Sequence, residues 1–179
     1  KLVFQASNER AYYFAKLYKT SIPIVIENYV NYIKIYPNNI EEYIIDNLPL
    51  GTKTIIYTGN ISSGGNQRID KVISSLKYLD SSIHFCILGI GNHNIKERLI
   101  EYARENGVEN RIHYINPVKS ELVVNLISKA NVAVIPIYAN CLNSKYSALN
   151  KLSQSLMAGL PIACSDYENL RKLVLDNEI

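Results

Sequence analysis

From residue 53 onward the chain alternates short apolar, β-branched runs with longer stretches of helical spacing. This alternation restricts the fold more than any other feature. The runs 54–58, 83–88, 111–115, 132–136 and 160–164 read as strands. After the first, Ile69, Val72, Ile73, Leu76 and Leu79 fall on one face of a helix. After the second, Asn94 followed by Glu97 resembles a capping box and opens a helix through Asn106. Leu122, Val123, Leu126 and Ile127 mark a helix over 119–129, and Leu149, Leu152 and Leu156 mark another before Gly159 and Pro161. Ser165 with Glu168 caps a final helix. Strands that alternate with helices of this length form βαβ units, so the chain predicts an α/β, doubly wound parallel sheet of Rossmann-like type.

The first fifty residues are less regular. Residues 2–6 read as a strand, Ser7 as an N-cap, and Ala11, Phe14, Ala15 and Tyr18 as the apolar positions of a helix. Residues 22–26 form a second β-branched run. Residues 27–51 are rich in Asn, Tyr, Pro and Ile and read as a linker with one short helix near 41–46. The expected division is residues 1–51 as the end of one domain with its junction, and 52–179 as a second domain that stops within an apparent helix.

Composition narrows the function. With 179 residues, 47% hydrophobic and 20% charged, the chain can bury a core of ordinary size. The net charge of +3 is mild and its lysines and arginines are scattered, so nucleic acid is not an expected partner. No apolar run approaches the roughly 18 residues of a membrane span. Three widely spaced cysteines suggest neither a disulfide framework nor a zinc site, which points to a reducing cytoplasm. Cys86 and Cys164 lie in apolar runs and read as small core residues.

In a doubly wound sheet, ligands sit where loops leave the carboxyl ends of strands. Asn150 and Lys151 fall in the first turn of the helix within 143–162, where free amides and the helix dipole favour an anion. That segment is either such a site or an ordinary connection with a polar helix start. The loop 59–67 (GNISSGGNQ) carries Gly59, Gly64 and Gly65, with Arg68 at the next helix entrance. It is either a phosphate clamp or a plain surface loop. GxxxxGK[ST] is absent, and Gly89-Ile90-Gly91 lacks the third glycine of a dinucleotide fingerprint. His84 and His113 read as structural residues within strands, and no histidine pair has metal-ligand spacing. No Asp-x-Asp pair, GxSxG elbow or Cys–His pairing is evident.

Taken in order, these stretches resemble the carboxyl-terminal, donor-binding half of a family-4-like (group 1) glycosyltransferase of GT-B fold. IIYTGNISSGGNQRIDKVISSL resembles the first strand, glycine loop and basic helix start of that domain, and HFCILGIGN its second strand and glycine turn. RIHYINPV resembles the strand before the base-contacting loop, and NVAVIPI with NSKYSALNKLSQSLMAGLPIACSD the donor segment. VFQASNERAYYFAKLY resembles the junction from the amino-terminal domain. Single motifs are degenerate; their order and spacing are specific.

The resemblance implies that Gly59, Arg68, Asn150 and Lys151 bind the donor diphosphate, stabilising it without a metal, and that Gln154 takes the ribose. Gly91, Val118, Tyr138 and Tyr146 are the residues it suggests for base or sugar contacts. Two departures stand out: Leu149 replaces a usual proline, and Gln154 a usual glutamate, while the related upstream acid falls at Tyr146. The implied activity is transfer of a sugar, from UDP- or GDP-sugar, to a glycan or lipid-linked acceptor held by an amino-terminal domain, in surface polysaccharide assembly. No separate cofactor is implied. The implied location is cytoplasmic, with peripheral association at the inner membrane face. This stretch alone is expected to be inactive. The alternatives are a non-catalytic nucleotide-sugar-binding or scaffold relative, motivated by Gln154, and a GT-B-type sugar-nucleotide epimerase.

Overall fold

The computed structural model describes residues 2–27, 30, 32, 44–61, 67–89, 93–138, 140–146, 150–167 and 170–171. In chain order the elements are β1 (Phe4–Gln5), α1 (Asn8–Tyr18), β2 (Ile24–Val25), β3 (Lys53–Thr58), α2 (Ile69–Ser75), β4 (Ile83–Leu88), α3 (His93–Glu105), β5 (Ile112–Ile115), α4 (Ser120–Ile127), β6 (Val132–Ile135), α5 (Leu142–Lys145), α6 (Asn150–Met157) and β7 (Ile162–Cys164). Short 3-10 turns cover Ile44–Asn47, Leu76–Tyr78 and Glu109–Arg111. The chain divides into two compact units, Lys1–Asn31 with Ala139–Asn150 and Asp166–Ile179, and Tyr32–Tyr138 with Lys151–Ser165.

In the first unit, β1 and β2 pair in parallel, Phe4 opposite Ile24 and Gln5 opposite Val25, with α1 as their crossover. Ser7 is the N-cap: its hydroxyl accepts from the Arg10 amide at 3.3 Å and donates to the Tyr146 carbonyl at 3.1 Å. The helix closes at Lys19 in a left-handed conformation, φ 51°.

The second unit carries a five-stranded, fully parallel sheet in the order β5-β4-β3-β6-β7. The first strand of this unit is therefore central, and the chain winds outward from it twice in opposite directions. That is the Rossmann-like order. Period-two alternation sends successive residues to opposite faces. Tyr57, Phe85, Ile87 and Ile112 pack with Ile69 and Ile73 of α2 and with Ala103 of α3. Ile56, Cys86, Leu88 and Ala133 pack with Val124 and Ile127 of α4 and with Ala158 and Leu160 after α6. Both faces are covered, as a parallel sheet requires.

Arg111 ties the amino edge of this sheet together. Its guanidinium donates to the carbonyls of Ile83 (2.9 Å), Leu76 (2.8 Å) and Asp80 (2.7 Å). Charged hydrogen bonds to carbonyls that lose their partner are worth about 2 kcal/mol together once solvent replaces some of them. Arg111→Met should lower the melting temperature by about 4–8 °C, read by circular dichroism. An unchanged melt would show that water replaces the clamp at no cost. Nearby, His84 Nδ1 lies 2.7 Å from His113 Nε2 with the rings stacked. Burial lowers both histidines below their ordinary value, aided by Arg111 at His84 and by His84 at His113.

Several local expectations are corrected. Asn94 sits inside the first turn of α3, which starts at His93, and not ahead of it. Leu79 lies past the end of α2 and Leu156 lies on the outward side of α6; both are exposed. The buried stripe of α6 is Leu152 and Ser155, continued by Ala158. Cys164 ends the edge strand β7 and is exposed, whereas Cys86 in the central region is buried as expected. The polar stretch before Asn150, read as loop, contains the short helix α5. The Glu168 half of the last capping box and most of the 27–51 linker lie outside the described residues.

Candidate functional site

The outward winding from β3 creates a switch point at the carboxyl ends of β3 and β6, where the loops diverge to opposite faces and leave room for a ligand. Backbone hydrogen bonds fix this edge. The Gly59 amide donates to the Leu88 carbonyl at 3.0 Å and the Gly89 amide to the Ile115 carbonyl at 3.3 Å. The Arg68 amide donates to the Pro136 carbonyl at 2.7 Å, beside an antiparallel bridge from Gln67 to Ile137. Gly59 has φ +121°, outside the regions side-chain-bearing residues adopt. The two strand-end glycines nearly touch: a Cβ on Gly89 would lie 3.4 Å from the Gly59 carbonyl oxygen.

Helix α6 sends Lys151 to this edge from its first turn. Lys151 Nζ donates to the Tyr57 hydroxyl at 3.2 Å and stands 4.6 Å from the centre of the Tyr57 ring. A Cβ built on Gly59 would meet the same Nζ at 3.4 Å and the Tyr57 hydroxyl at 3.6 Å. Gly59, Tyr57 and Lys151 therefore form one cluster. Burial lowers the Lys151 ammonium from its ordinary value near 10.5 to about 8. Burial also raises the Tyr57 phenol well above its ordinary value, so it stays neutral beside the lysine. Helix α6 ends in a Schellman motif, with Leu160 N–H to Ser155 C=O at 3.1 Å, Gly159 N–H to Leu156 C=O at 2.9 Å, and Gly159 at φ +70°. The sharp stop returns the chain to β7.

The other expected residues are distributed as follows. Arg68 is the N-cap residue of α2, and its guanidinium pairs with Asp70 through two hydrogen bonds of 3.2 and 3.1 Å. It also lies 5.7 Å from the ring centre of Tyr138. Its hydrogen bonds and charge attraction to Asp70 raise the guanidinium above its ordinary value. Arg68 and Tyr138 are thus brought together. Arg68 lines a cleft of about 720 Å³ with Ile69, Ile95 and Tyr102, between α2 and α3. Asn150 opens α6 and is exposed, and Gln154 is half-buried one turn further along the helix. Val118 is a packing residue against the core under α4. Tyr146 belongs to the first unit, with its ring 6.2 Å from that of Tyr13. Gly91 lies outside the described residues.

Two participants escaped the sequence reading. Tyr57 reads as an ordinary strand aromatic; the available signal is that a tyrosine in a central strand must find a partner for its hydroxyl, two residues before a glycine. Asp70 reads as a helix-face residue and turns out to hold Arg68. Among the described residues, no group of three or more His, Cys, Asp or Glu is placed to hold a metal ion. No helix among them is long and apolar enough to cross a membrane.

A parallel sheet wound out from a central strand, with a glycine turn and a helix-borne lysine at its switch point, defines a half-domain of Rossmann-like type. The chain belongs to the glycosyl transferases group 1 family, whose model matches residues 52–178. No curated protein sequence matches it significantly. Its structure is similar to that of WaaG, a glycosyltransferase involved in lipopolysaccharide biosynthesis, with TM-score 0.70, 18% identity, and coverage of 98% of this chain and 47% of that one. It is also similar to Anabaena Alr3699/HepE in complex with UDP-glucose, with TM-score 0.73, 14% identity, 97% of this chain and 47% of that one. Sucrose-phosphate synthase from Thermosynechococcus elongatus gives TM-score 0.72, 16% identity, 97% of this chain and 42% of that one. These are GT-B glycosyltransferases, and the chain shares the fold of one Rossmann-like half. It spans about half the length of these proteins.

Proposed function

We propose that this chain binds the nucleoside diphosphate of a nucleotide-sugar donor at the carboxyl edge of β3. Residues 52–179 would be the donor half, and 1–51 the end of an amino-terminal domain with its junction. The observation that carries the reading is the meeting of Gly59 and Lys151 at the switch point of a group 1 family sheet. Gly59 leaves backbone open to a phosphate, Lys151 supplies positive charge, and the first-turn amides of α6 add the positive end of its dipole. Gln154, one turn on, would face the ribose, where an amide can donate to one hydroxyl and accept from another. Arg68 and Tyr138 would flank the donor, with Arg68 exchanging Asp70 for a phosphate oxygen.

Chemically, the diphosphate gains negative charge as the glycosidic bond breaks. Lys151 and the α6 amides are fixed before the reaction, so they stabilise that charge without reorganising. The sugar would pass to a glycan or lipid-linked acceptor held by an amino-terminal domain, in surface polysaccharide assembly at the cytoplasmic face of the membrane. HepE was solved with UDP-glucose and with UDP, and WaaG is described as a lipopolysaccharide enzyme; both favour this choice of donor and acceptor class. Gln154, uncharged where the family resemblance leads one to expect an acid, favours one second reading: a relative that binds donor and transfers nothing.

A calorimetric panel of UDP-, GDP- and ADP-sugars tests the reading. One of the UDP or GDP compounds should bind, and its free nucleoside diphosphate should compete. If none of the sugars and none of the free diphosphates binds, the donor-site reading falls. In the full-length protein, binding without transfer in the presence of acceptor extracts, with transfer gained by Gln154→Glu, would select the non-catalytic reading.

A further inference from the structure

We propose that Tyr57 is a positioning residue of the donor site, a neutral clamp that holds the Lys151 ammonium at the end of β3 without cancelling its charge. The inference deepens the proposed donor-binding function and rests on it. Tyr57 is fully buried, its ring packed in the core beneath α2 and α3, so the phenol cannot swing away. Its hydroxyl is used in both directions. It accepts from Lys151 Nζ at 3.2 Å and donates to the Asn60 carbonyl at 3.3 Å. The donated bond fixes the hydroxyl rotor, which aims an oxygen lone pair at the ammonium. The ring face adds a cation–π attraction, with Nζ at 4.6 Å from its centre.

The chemistry of the partner matters. A carboxylate here would pair with Lys151 and neutralise the charge a phosphate needs. A phenol buried in this way keeps its proton, so it supplies a dipole and leaves the full positive charge on the nitrogen. A free lysine side chain loses rotamer entropy when it is ordered. With Tyr57 in place, that ordering precedes the arrival of the ligand, which is the general advantage of a preorganised site. Lys151 would then act on the diphosphate, and Tyr57 would act only through Lys151.

The test is a double-mutant cycle on UDP and GDP binding, with Tyr57→Phe and Lys151→Met separately and together. Tyr57→Phe keeps the ring and loses only the hydroxyl. It should weaken binding of the preferred diphosphate about tenfold, in line with loss of one hydrogen bond to a charged group. In the Lys151→Met background the same change should alter binding by less than about twofold, since nothing remains to be positioned. The pH midpoint of binding should also move downward in Tyr57→Phe, because the ammonium loses an acceptor that favours its charged form. A general structural role predicts instead the same loss in both backgrounds and no shift in the midpoint; that result overturns the proposal. So does a Tyr57→Phe protein that binds like the parent while Lys151→Met does not. If the parent itself binds neither diphosphate, or Lys151→Met binds as well as the parent, the donor-site reading fails first and this inference falls with it.

Discussion

Replacing Lys151 with methionine should weaken diphosphate binding by about 10- to 100-fold and yet leave the fold at least as stable at neutral pH. The loss reflects a charge-assisted contact of about 1.5–3 kcal/mol to a phosphate in a partly dry site. Stability responds in the opposite direction. Burial makes the charged form of Lys151 costly, since its folded value is about 8 against an ordinary value near 10.5. Methionine fills much the same volume without that charge, and the Tyr57 hydroxyl retains its bond to the Asn60 carbonyl.

The same shift sets a pH dependence with a definite sign. Between about pH 8 and 10.5 the unfolded chain still holds the Lys151 proton while the folded one has released it. Stability attributable to this residue therefore rises as pH climbs through that window. The full difference is on the order of 3 kcal/mol, and it should be missing from Lys151→Met. Diphosphate affinity should move oppositely, falling in the parent once pH passes about 8, because the neutral amine no longer attracts the anion. Urea melts and calorimetry of the two proteins from about pH 6.5 to 10 would measure both trends. A variant that binds as tightly as the parent at pH 7 removes Lys151 from the site.

Gly59→Ala should lower the melting temperature by about 3–10 °C and abolish measurable diphosphate binding. A φ of +121° is open to glycine and strained for any residue with a Cβ, at about 1–3 kcal/mol. For a chain of this size each kcal/mol is worth about 2–4 °C. The added methyl would also stand 3.4 Å from Lys151 Nζ, in the space a phosphate oxygen would need. Gly51 and Gly107 have positive φ too, but a Cβ there meets nothing within 4 Å. Alanine at those positions should cost stability alone and leave binding intact, which makes them the controls. Binding retained in Gly59→Ala would place the phosphate elsewhere.

The elements were legible because period and punctuation are local properties. Alternation of strand runs with helical stretches from residue 53 predicted the parallel, doubly wound sheet, and Gly159-Leu160-Pro161 marked where α6 stops. Ser7 as an N-cap followed from one residue type ahead of one helix. Asn150 and Lys151 could be placed in a first turn for the same reason. Boundaries and faces were less legible where competing signals were close together. Leu156 has helical spacing, yet it is exposed, and the side of α6 that is buried carries Leu152, Ser155 and Ala158.

What no local pattern could supply was the company each residue keeps across the sheet. Lys151 and Tyr57 are far apart in sequence and 3.2 Å apart in space, because β3 is the centre of the sheet and α6 begins beside its carboxyl end. Arg68 could be located at a helix entrance, but its pairing with Asp70 depends on side-chain geometry over a single turn. The sequence by itself determined the fold class and the place of Asn150 and Lys151 in the first turn of a helix. The tertiary structure alone decided that the lysine there is held by a buried phenol, since desolvation and hydrogen-bond direction arise only when distant strands and helices pack.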